Sequence, residues 1–194
     1  MKVNLGSGTN KIDGFINIDK YAENADLQDD ILSLTLKDNS VELVYFSHII
    51  EHFNKDDINL VLNEIKRILQ SGGILIIETP DVECLVKKYR RACFLKPVID
   101  KIFYYFENKG IFDKYPLKYI KSAFNTFLLE DTLFIDSFFG GTKPGMEHYY
   151  LYNFRLLKKL LEKHGFKNIE KIKSPEYSQH INSKCNLAIK CKKS

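Results

Sequence analysis

The stretch NLGSGTNKIDGFINID near the start of the chain combines residues that could bind a nucleotide. Gly6 and Gly8 follow one apolar run, and Asp19 ends the next one. Glycine after a strand lets the backbone approach a ligand closely, and an aspartate after the neighbouring strand can accept hydrogen bonds from both hydroxyls of a ribose. Because a lone Gly-x-Gly is more often an ordinary turn, the downstream elements must decide between a cofactor site and a turn.

The spacing within this stretch disfavours a dinucleotide. A dinucleotide-binding turn has a third glycine and a full helix facing the pyrophosphate, and its ribose-binding acid comes about 20 residues later. Here Asn10 and Lys11 follow the glycines, and Asp19 comes much sooner. A ligand without phosphate, held by glycine backbone, carboxylates and apolar walls, fits this composition better.

Four short apolar runs predict the strands that would position these residues: KVNLG, FINID, VELVYF and GILIIETP. Between the last two, apolar residues recur at helical spacing and predict a helix that ends at Gly72. These residues are Ile58, Val61, Leu62, Ile65, Ile68 and Leu69. Strand, helix and strand in this order are typical of a parallel sheet.

The end of the chain continues this pattern. A helix is predicted from about Asn153, a suitable N-cap, to His164, with Gly165 ending it. Two further strands are predicted after it, at KNIEKIK and NLAIKCKK. Residues 1–194 are therefore expected to form one α/β domain.

Residues 82–146 interrupt the order of strands and helices. This stretch is rich in phenylalanine and tyrosine, and we interpret it as a largely helical insertion after the fourth strand. Since ligands bind at the carboxyl edge of open α/β sheets, the insertion is predicted to form a lid or a substrate-binding subdomain. The alternative is that its aromatic residues build only a subdomain core or a dimer contact.

Composition limits the classes of partner. The formal net charge of +4 is mild and scattered, so nucleic acid is not expected as a partner. The four cysteines lack the close paired spacing of a zinc site and are expected to be reduced thiols, which favours a cytoplasmic location. Neither a secretion leader nor a membrane-spanning run is predicted.

Four stretches taken together resemble the class I S-adenosylmethionine-dependent methyltransferases, in their short type-11 form. They are VNLGSGTNKIDGFINIDKY, DDILSLTLKDNSVELVYFSHIIEHF, LNEIKRILQSGGILIIETPD and HYYLYNFRLLKKLLEKHGFKNI. The resemblance covers roughly residues 2–81 and 148–190. It implies a Rossmann-like, mostly parallel sheet and S-adenosyl-L-methionine as the cofactor.

The resemblance also implies roles for individual residues. The glycine-rich turn of this family holds the methionine part of the cofactor, which implies that role for Gly6, Ser7 and Gly8. The acid after the second strand binds the ribose, which implies Asp19. The remaining implied contacts are Asp30 and Ile31 at the adenine and Ser47 beside the sulfonium and the substrate.

Histidine is the side chain best matched to general-base chemistry near neutral pH, and a hydroxyl acceptor would benefit from such a base. His48, at the predicted end of the third strand, is the first candidate for a catalytic residue. His148 resembles a position lining the substrate side, and a structural hydrogen bond at the helix entry is the alternative. Glu51 and His52 resemble a pair that braces the site, whereas His164 and His180 are expected to be ordinary surface or capping residues. No group of residues has the spacing of a metal-ligand set, so no metal is predicted.

Two features depart from the family pattern. Asn4 stands where these enzymes usually carry an acid that helps to hold the amino group of the cofactor. Asn4 is kept as a cofactor-binding candidate, and recognition of the amino group is expected to rely on backbone or another side chain. The first crossover is too short for a full helix, and no helix precedes the first strand. One face of the sheet is therefore expected to be covered by the insertion or by a second subunit in a homodimer.

The sequence thus predicts a methyltransferase that acts on a small molecule, with a sugar or sugar nucleotide as the preferred acceptor class. The alternative is a catalytically inactive protein of the same fold that binds a cofactor or a partner. Aminopropyl transfer is less favoured, because a polyamine would require acidic residues and the insertion is basic and aromatic.

Overall fold

The computed structural model describes residues 1–88, 148–181 and 183–194. Most of the insertion predicted over residues 82–146 lies outside the described residues. Its first residues, 82–88, form a helix, here called α2. No helix among the described residues is long and apolar enough to cross a membrane.

Six strands form one mixed sheet in the order β2-β1-β3-β4-β6-β5. They are β1 (Lys2–Leu5), β2 (Ile16–Ile18), β3 (Val41–Ser47), β4 (Leu69–Pro80), β5 (Phe166–Ile172) and β6 (Asn186–Lys193). Strands β2, β1, β3 and β4 pair in parallel, whereas β6 is antiparallel to both β4 and β5. The predicted, mostly parallel α/β sheet is therefore confirmed.

The connection between β1 and β2 is abbreviated, as its length predicted. Residues 6–15 form only turns, and residues 19–40, which link β2 to β3, also contain no helix. Buried side chains from both strands nevertheless anchor this end of the sheet, since Val3, Leu5 and Ile18 have no exposed surface.

Two helices pack their apolar residues against the sheet. Helix α1 (Lys55–Ile68) begins at Asn54, whose side chain accepts hydrogen bonds from the amides of Asp56 and Asp57. Helix α3 (Phe154–Lys163) begins at the predicted N-cap Asn153, whose Oδ1 accepts from the amide of Leu156 at 2.8 Å. The predicted apolar face of α1 is confirmed as its buried face: Ile58, Val61, Leu62, Ile65 and Ile68.

The predicted end of α1 at Gly72 is wrong. Leu69 is already extended and pairs with Val41 of β3, so the chain enters β4 directly from the helix. The register between β3 and β4 then shifts, and Leu43 pairs with Ile74. Gly72, at φ 73°, lies within this irregular start of β4, where a positive φ is needed.

Part of the sheet face that was expected to need the insertion or a second subunit is covered by the connection between β5 and β6. Tyr177, in this connection, packs edge-on against Tyr45 of β3 at 5.1 Å between ring centroids. The same ring lies 5.2 Å from that of Phe15, which precedes β2. The connection therefore covers part of the sheet beside β2, where residues 6–15 form no helix.

The expectation that all cysteines are reduced is wrong for two of them. Cys84 in α2 and Cys185, just before β6, form a disulfide bond. Their Cα atoms are 5.3 Å apart, although the two residues are 101 positions apart in the sequence. Cys191 is a buried free thiol, and burial raises its pKa to about 12.

Candidate functional site

The predicted cofactor residues converge at one edge of the sheet because the first four strands run in parallel. Leu5 of β1 pairs with Ile18 of β2 on one side and with Phe46 of β3 on the other. Gly6 and Asp19 follow the first two of these, and Ser47, the last residue of β3, follows Phe46, so the three lie side by side at this end of the sheet. This edge is where open α/β sheets bind ligands.

The glycine-rich turn is fixed by backbone hydrogen bonds to β2. The amides of Gly6 and Ser7 both donate to the carbonyl of Ile18, at 2.8 and 3.0 Å. Gly6 adopts φ 67° and Gly8 adopts φ 53°, which favour glycine. Nothing lies within 4 Å of the point where Gly8 would carry a β-carbon, so its backbone is open to a ligand.

The carboxylate of Asp19 joins the turn to the end of β2. Its Oδ2 accepts a hydrogen bond from the amide of Gly8 at 2.9 Å. Its Oδ1 accepts from the amides of Tyr21 and Ala22 at 2.8 and 2.9 Å. Because two carboxylate oxygens offer about four acceptor positions, Asp19 is held in place and retains acceptor capacity for a ligand hydroxyl.

Asn4 faces the protein rather than the open side of the turn. It is only 4% exposed, and its Nδ2 donates to the carbonyl of Asn10 and to Oδ1 of Asn17. Asn17 in turn binds the carboxylate of Asp26 through its amide and its side chain. Asp26 also pairs with Lys11, and this pair together with the Asn17 bonds lowers the pKa of Asp26 to about 2. Asn4 therefore braces the turn.

Asp30 and Ile31 lie beyond Asp19 along the chain. The carboxylate of Asp30 accepts a hydrogen bond from Nζ of Lys20 at 2.8 Å and from the amide of Leu32 at 3.0 Å. The bond from Lys20 is the main reason that the pKa of Asp30 is lowered. Ile31 is 9% exposed and joins the core. An anionic carboxylate beside an apolar wall is thus present where the adenine contact is predicted.

Ser47 belongs to a polar cluster around the buried carboxylate of Glu78 in β4. Oε2 of Glu78 accepts hydrogen bonds from Ser47 at 3.2 Å and from Ser178 at 2.6 Å, and also from the hydroxyl of Tyr45. Its Oε1 accepts from Nδ2 of Asn186 at 3.0 Å. These donors compensate for the burial of a carboxylate that has no exposed surface.

His48 is held between two acceptors at the end of β3. Its Nε2 lies 3.0 Å from Oδ1 of Asn186, and its Nδ1 lies 3.3 Å from Oε1 of Glu51. Burial alone would lower the pKa of His48, but Glu51 and Asn186 raise it above its usual value. Its backbone has φ 53°, an unusual conformation outside glycine, and its amide donates to the carbonyl of Glu78.

His48 also stacks on His180, with ring centroids 3.6 Å apart. His180 was expected to be an ordinary surface or capping residue, and that expectation is wrong. It comes from the same connection between β5 and β6 that carries Tyr177 and Ser178. His164, in contrast, caps α3 as expected, because its Nδ1 lies 2.8 Å from the carbonyl of Leu160.

His148 lies beside His52, close to Glu51. The rings of the two histidines are 4.8 Å apart between centroids. One potential ligand atom from each of Glu51, His52 and His148 lies within 4.8 Å of the others. The prediction of no metal rested on sequence spacing, whereas the fold brings together three residues of ligand type that are far apart in the sequence.

Comparisons with known proteins agree with this architecture. Residues 12–77 match the family model described as "Methyltransferase domain", which is less than half of the chain. A methyltransferase structure from Archaeoglobus fulgidus shares 17% identity and a TM-score of 0.54, covering 99% of this chain and 85% of that one. A structure from Thermotoga maritima shares 16% identity and a TM-score of 0.54, with 100% and 82% covered.

A third structure, of a 1,6-didemethyltoxoflavin-N1-methyltransferase from Burkholderia thailandensis, shares 9% identity and a TM-score of 0.55. It is covered over 70% of its length by all of this chain. A search of curated proteins finds no match. The chain has the class I methyltransferase fold. The resemblance to S-adenosylmethionine-dependent methyltransferases is thus confirmed by both the domain model and the fold.

The match to the methyltransferase domain begins after the glycine-rich turn. It includes Asp19, Asp30, Ile31, Ser47 and His48, whereas Gly6, Ser7 and Gly8 precede it. The fold connects the glycine-rich turn to the matched region, because the amide of Gly8 donates a hydrogen bond to the carboxylate of Asp19. The turn is therefore part of the same edge of the methyltransferase sheet.

Three residues of this edge were missed in the sequence. Glu78 could have been found, because it is the one carboxylate within the apolar run GILIIETP. Asn186 and Ser178 carried no such signal, since they follow from the antiparallel pairing of β6 with β4 and the path of the chain before it. Asp81 turns out to cap α2, with Oδ1 accepting from the amide of Glu83 at 3.1 Å.

Proposed function

We propose that this chain is an S-adenosylmethionine-dependent methyltransferase that acts on a small molecule. The observation that carries the proposal is the hydrogen bond from the amide of Gly8 to the carboxylate of Asp19, at the carboxyl ends of β1 and β2. It presents open glycine backbone and a fixed carboxylate side by side. The absence of a helix in residues 6–15 argues against a pyrophosphate-bearing ligand.

The residues present fit such a cofactor. We assign the methionine part to the backbone of Gly6, Ser7 and Gly8, and the ribose hydroxyls to the remaining acceptor positions of Asp19. Asp30 and Ile31 are assigned to the adenine, with Asp30 accepting from the exocyclic amine in competition with Lys20. Asn4, predicted as a cofactor contact, is proposed to act by bracing the turn.

When bound, S-adenosylmethionine supplies an activated methyl group. The protein then has mainly to align the acceptor and exclude water, which can account for a large part of the barrier. Strand β1 lies between β2, which Asp19 follows, and β3, which carries Ser47 and leads to His48. We therefore assign the acceptor to the β3 side of the site, with His148. Ser47 is oriented for this by its bond to Glu78.

His48 and His148 remain the candidate catalytic residues. Both ring nitrogens of His48 face protein acceptors, an arrangement that favours its protonated form. A general-base role would require His48 to give up one of these contacts when the acceptor binds. Replacement of His48 by Asn should therefore lower the rate of transfer more than it lowers cofactor affinity.

A small acceptor is supported by two structural neighbours. One is described as a possible histamine N-methyltransferase, and the other as acting on 1,6-didemethyltoxoflavin. We further propose a sugar or sugar nucleotide as the acceptor class, on the sequence resemblance alone. The roles predicted for residues 82–146, a homodimer and a cytoplasmic location stay predictions, as does the exclusion of nucleic acid. The disulfide removes one argument for the cytoplasm.

Calorimetric titration of the chain with S-adenosylhomocysteine tests the proposal. We expect binding by the parent chain and an affinity at least about tenfold lower for Asp19→Ala, which corresponds to roughly 1.4 kcal/mol. Asp13→Ala is the matched control, because Asp13 is an exposed carboxylate near the same turn. Circular dichroism of each variant shows whether the sheet is intact.

The possible results separate the proposal from its alternative. No binding by the parent chain, or equal loss in both variants, overturns the cofactor assignment. Binding followed by no transfer of radiolabelled methyl to panels of sugars, amines and proteins favours the catalytically inactive protein. Transfer to a sugar nucleotide or another small molecule supports the enzyme.

A further inference from the structure

We propose that Glu51, His52 and His148 form a binding site for a divalent transition-metal ion, with Zn²⁺ as the first candidate. The three residues offer one carboxylate oxygen and two imidazole nitrogens, all within 4.8 Å of one another. Glu51 and His52 are consecutive in a short 3-10 turn, Ile50–His52, that follows β3. His148 comes after residues 89–147 in the sequence and lies next to them in the fold.

Backbone contacts hold the two halves of this cluster together. The amides of Tyr149 and Tyr150 donate to the carbonyl of Glu51, at 2.8 and 3.3 Å. Tyr152 then forms a bridge with Asp81 at the end of β4, and its carbonyl accepts from the amide of Val82 at 3.0 Å. The position of His148 next to Glu51 is therefore a consequence of main-chain pairing.

The buried carboxylate of Glu51 supplies an independent indication of a ligand. The residue has no exposed surface, and its Oε2 accepts a hydrogen bond from Oγ1 of Thr79 at 3.1 Å. Its Oε1 is buried and accepts no hydrogen bond from the described residues, although Nδ1 of His48 lies 3.3 Å away. The ion pair with His48 compensates for part of the burial of this oxygen, and a metal ion at the cluster would add a second positive partner.

The donor set selects the kind of ion. Two imidazole nitrogens and one carboxylate suit zinc and related transition metals, whereas Mg²⁺ and Ca²⁺ prefer oxygen ligands. Tetrahedral zinc brings its ligand atoms to about 3.3 Å from one another, so binding requires a modest rotation of the partly exposed histidines. Three protein ligands leave a fourth position for water or another ligand.

The surroundings of Glu51 resemble the outer contacts of a metal site. Thr79 fixes one carboxylate oxygen by a hydrogen bond, and Nδ1 of His48 lies 3.3 Å from the other. Such contacts orient the ligand and raise its affinity for the ion. The site shares His148 with the acceptor side of the methyltransferase proposal, but its three donor atoms come from Glu51, His52 and His148 alone, so metal binding can be measured without the cofactor.

Cobalt and zinc titrations of the full, tag-free chain test the site. After dialysis against a chelator, addition of Co²⁺ is expected to give visible d–d absorption that saturates at one ion per chain and is displaced by Zn²⁺. His52→Ala and His148→Ala should each weaken Zn²⁺ binding at least about tenfold in a competition assay with a chromophoric chelator. His164→Ala is the matched control, since His164 caps α3 and lies outside the cluster.

The outcome is kept separate from folding and from cofactor binding. Glu51→Gln alters a buried group and could unfold the chain, so the two histidine variants carry the test, each checked by circular dichroism. Absence of saturable Zn²⁺ binding up to about 100 μM, or an equal effect of all three histidine variants, overturns the site. Titration with S-adenosylhomocysteine in the same samples shows independently whether the cofactor proposal holds.

Discussion

Gly6 packs so closely against Ile49 that a β-carbon on Gly6 would lie 2.6 Å from Cδ1 of that side chain. Ile49 follows His48, so this contact joins the glycine-rich turn after β1 to the segment after β3. The turn that we assign to the cofactor and the histidine that we assign to the acceptor side are thereby set against each other. Any side chain at Gly6 must displace the side chain of Ile49.

Gly6→Ala should destabilise the chain more than Gly8→Ala. Both glycines have positive φ, so each substitution carries backbone strain, but only Gly6 also meets Ile49. We expect the free energy of unfolding to fall by about 1 to 2 kcal/mol more for Gly6→Ala. Urea denaturation of the two variants measures the difference.

A second substitution identifies the cause of that difference. Ile49→Ala in the Gly6→Ala background should restore part of the lost stability, relative to the cost of Ile49→Ala alone. Equal unfolding free energies for Gly6→Ala and Gly8→Ala would show that the contact with Ile49 has no energetic weight.

Glu78→Gln should destabilise the polar cluster next to β3. The carboxylate accepts hydrogen bonds from Tyr45, Ser47, Ser178 and Asn186, and a glutamine would place an N–H group opposite some of these donors. We expect a loss of about 2 to 3 kcal/mol in the free energy of unfolding. Glu170→Gln, at an exposed position of β5, is the control for the change in charge and should change stability little.

The same carboxylate predicts a dependence of stability on pH. Burial raises the pKa of Glu78, but the bonds from Ser178 and Tyr45 outweigh burial and hold it below its usual value of 4.5. A lowered pKa in the folded state means that the stabilisation is complete above the unfolded value and is lost as pH falls through the folded one. Urea denaturation of the parent and Glu78→Gln chains at several pH values below about 6 gives, for each chain, the slope of the free energy of unfolding against pH.

If the free energy of unfolding falls equally in the parent and the Glu78→Gln chain over this pH range, the stabilisation assigned to the lowered pKa of Glu78 is contradicted. Other carboxylates, Asp26 among them, also have lowered pKa values and lose stabilisation in acid. The informative quantity is therefore the difference between the two chains, which isolates Glu78.

The strands could be predicted because their apolar residues form short runs bounded by turn residues. Helix α1 could be predicted because its apolar residues recur at helical spacing. The position of Asp19 could be predicted because it closes a strand. The end of α1 could not, because the pairing of Leu69 with Val41 decides it, and that pairing depends on a neighbour in space. Gly72 indicated a break in regular structure and was assigned to the wrong element.

Contacts between parts of the chain that are distant in sequence could not be predicted from the sequence alone. The pairing of Cys84 with Cys185 carries no local spacing signal, and neither does the approach of His148 to Glu51. Glu78 differs, because a carboxylate inside an apolar strand must find donors and is visible as an exception. Which donors it finds depends on β6 and on the chain before it.

The disulfide between Cys84 and Cys185 should contribute to stability. It joins α2, after β4, to the entry of β6, and it closes a loop across a sequence separation of 101 residues. Because such a link restricts the unfolded chain, its reduction is expected to lower the free energy of unfolding by about 2 to 4 kcal/mol. Urea denaturation with and without dithiothreitol measures this loss.

The double variant Cys84→Ser/Cys185→Ser is the control and should unfold at one urea concentration whether or not the reductant is present. A parent chain that unfolds identically in both conditions would mean that the bond adds nothing to the pairing of β4 with β6.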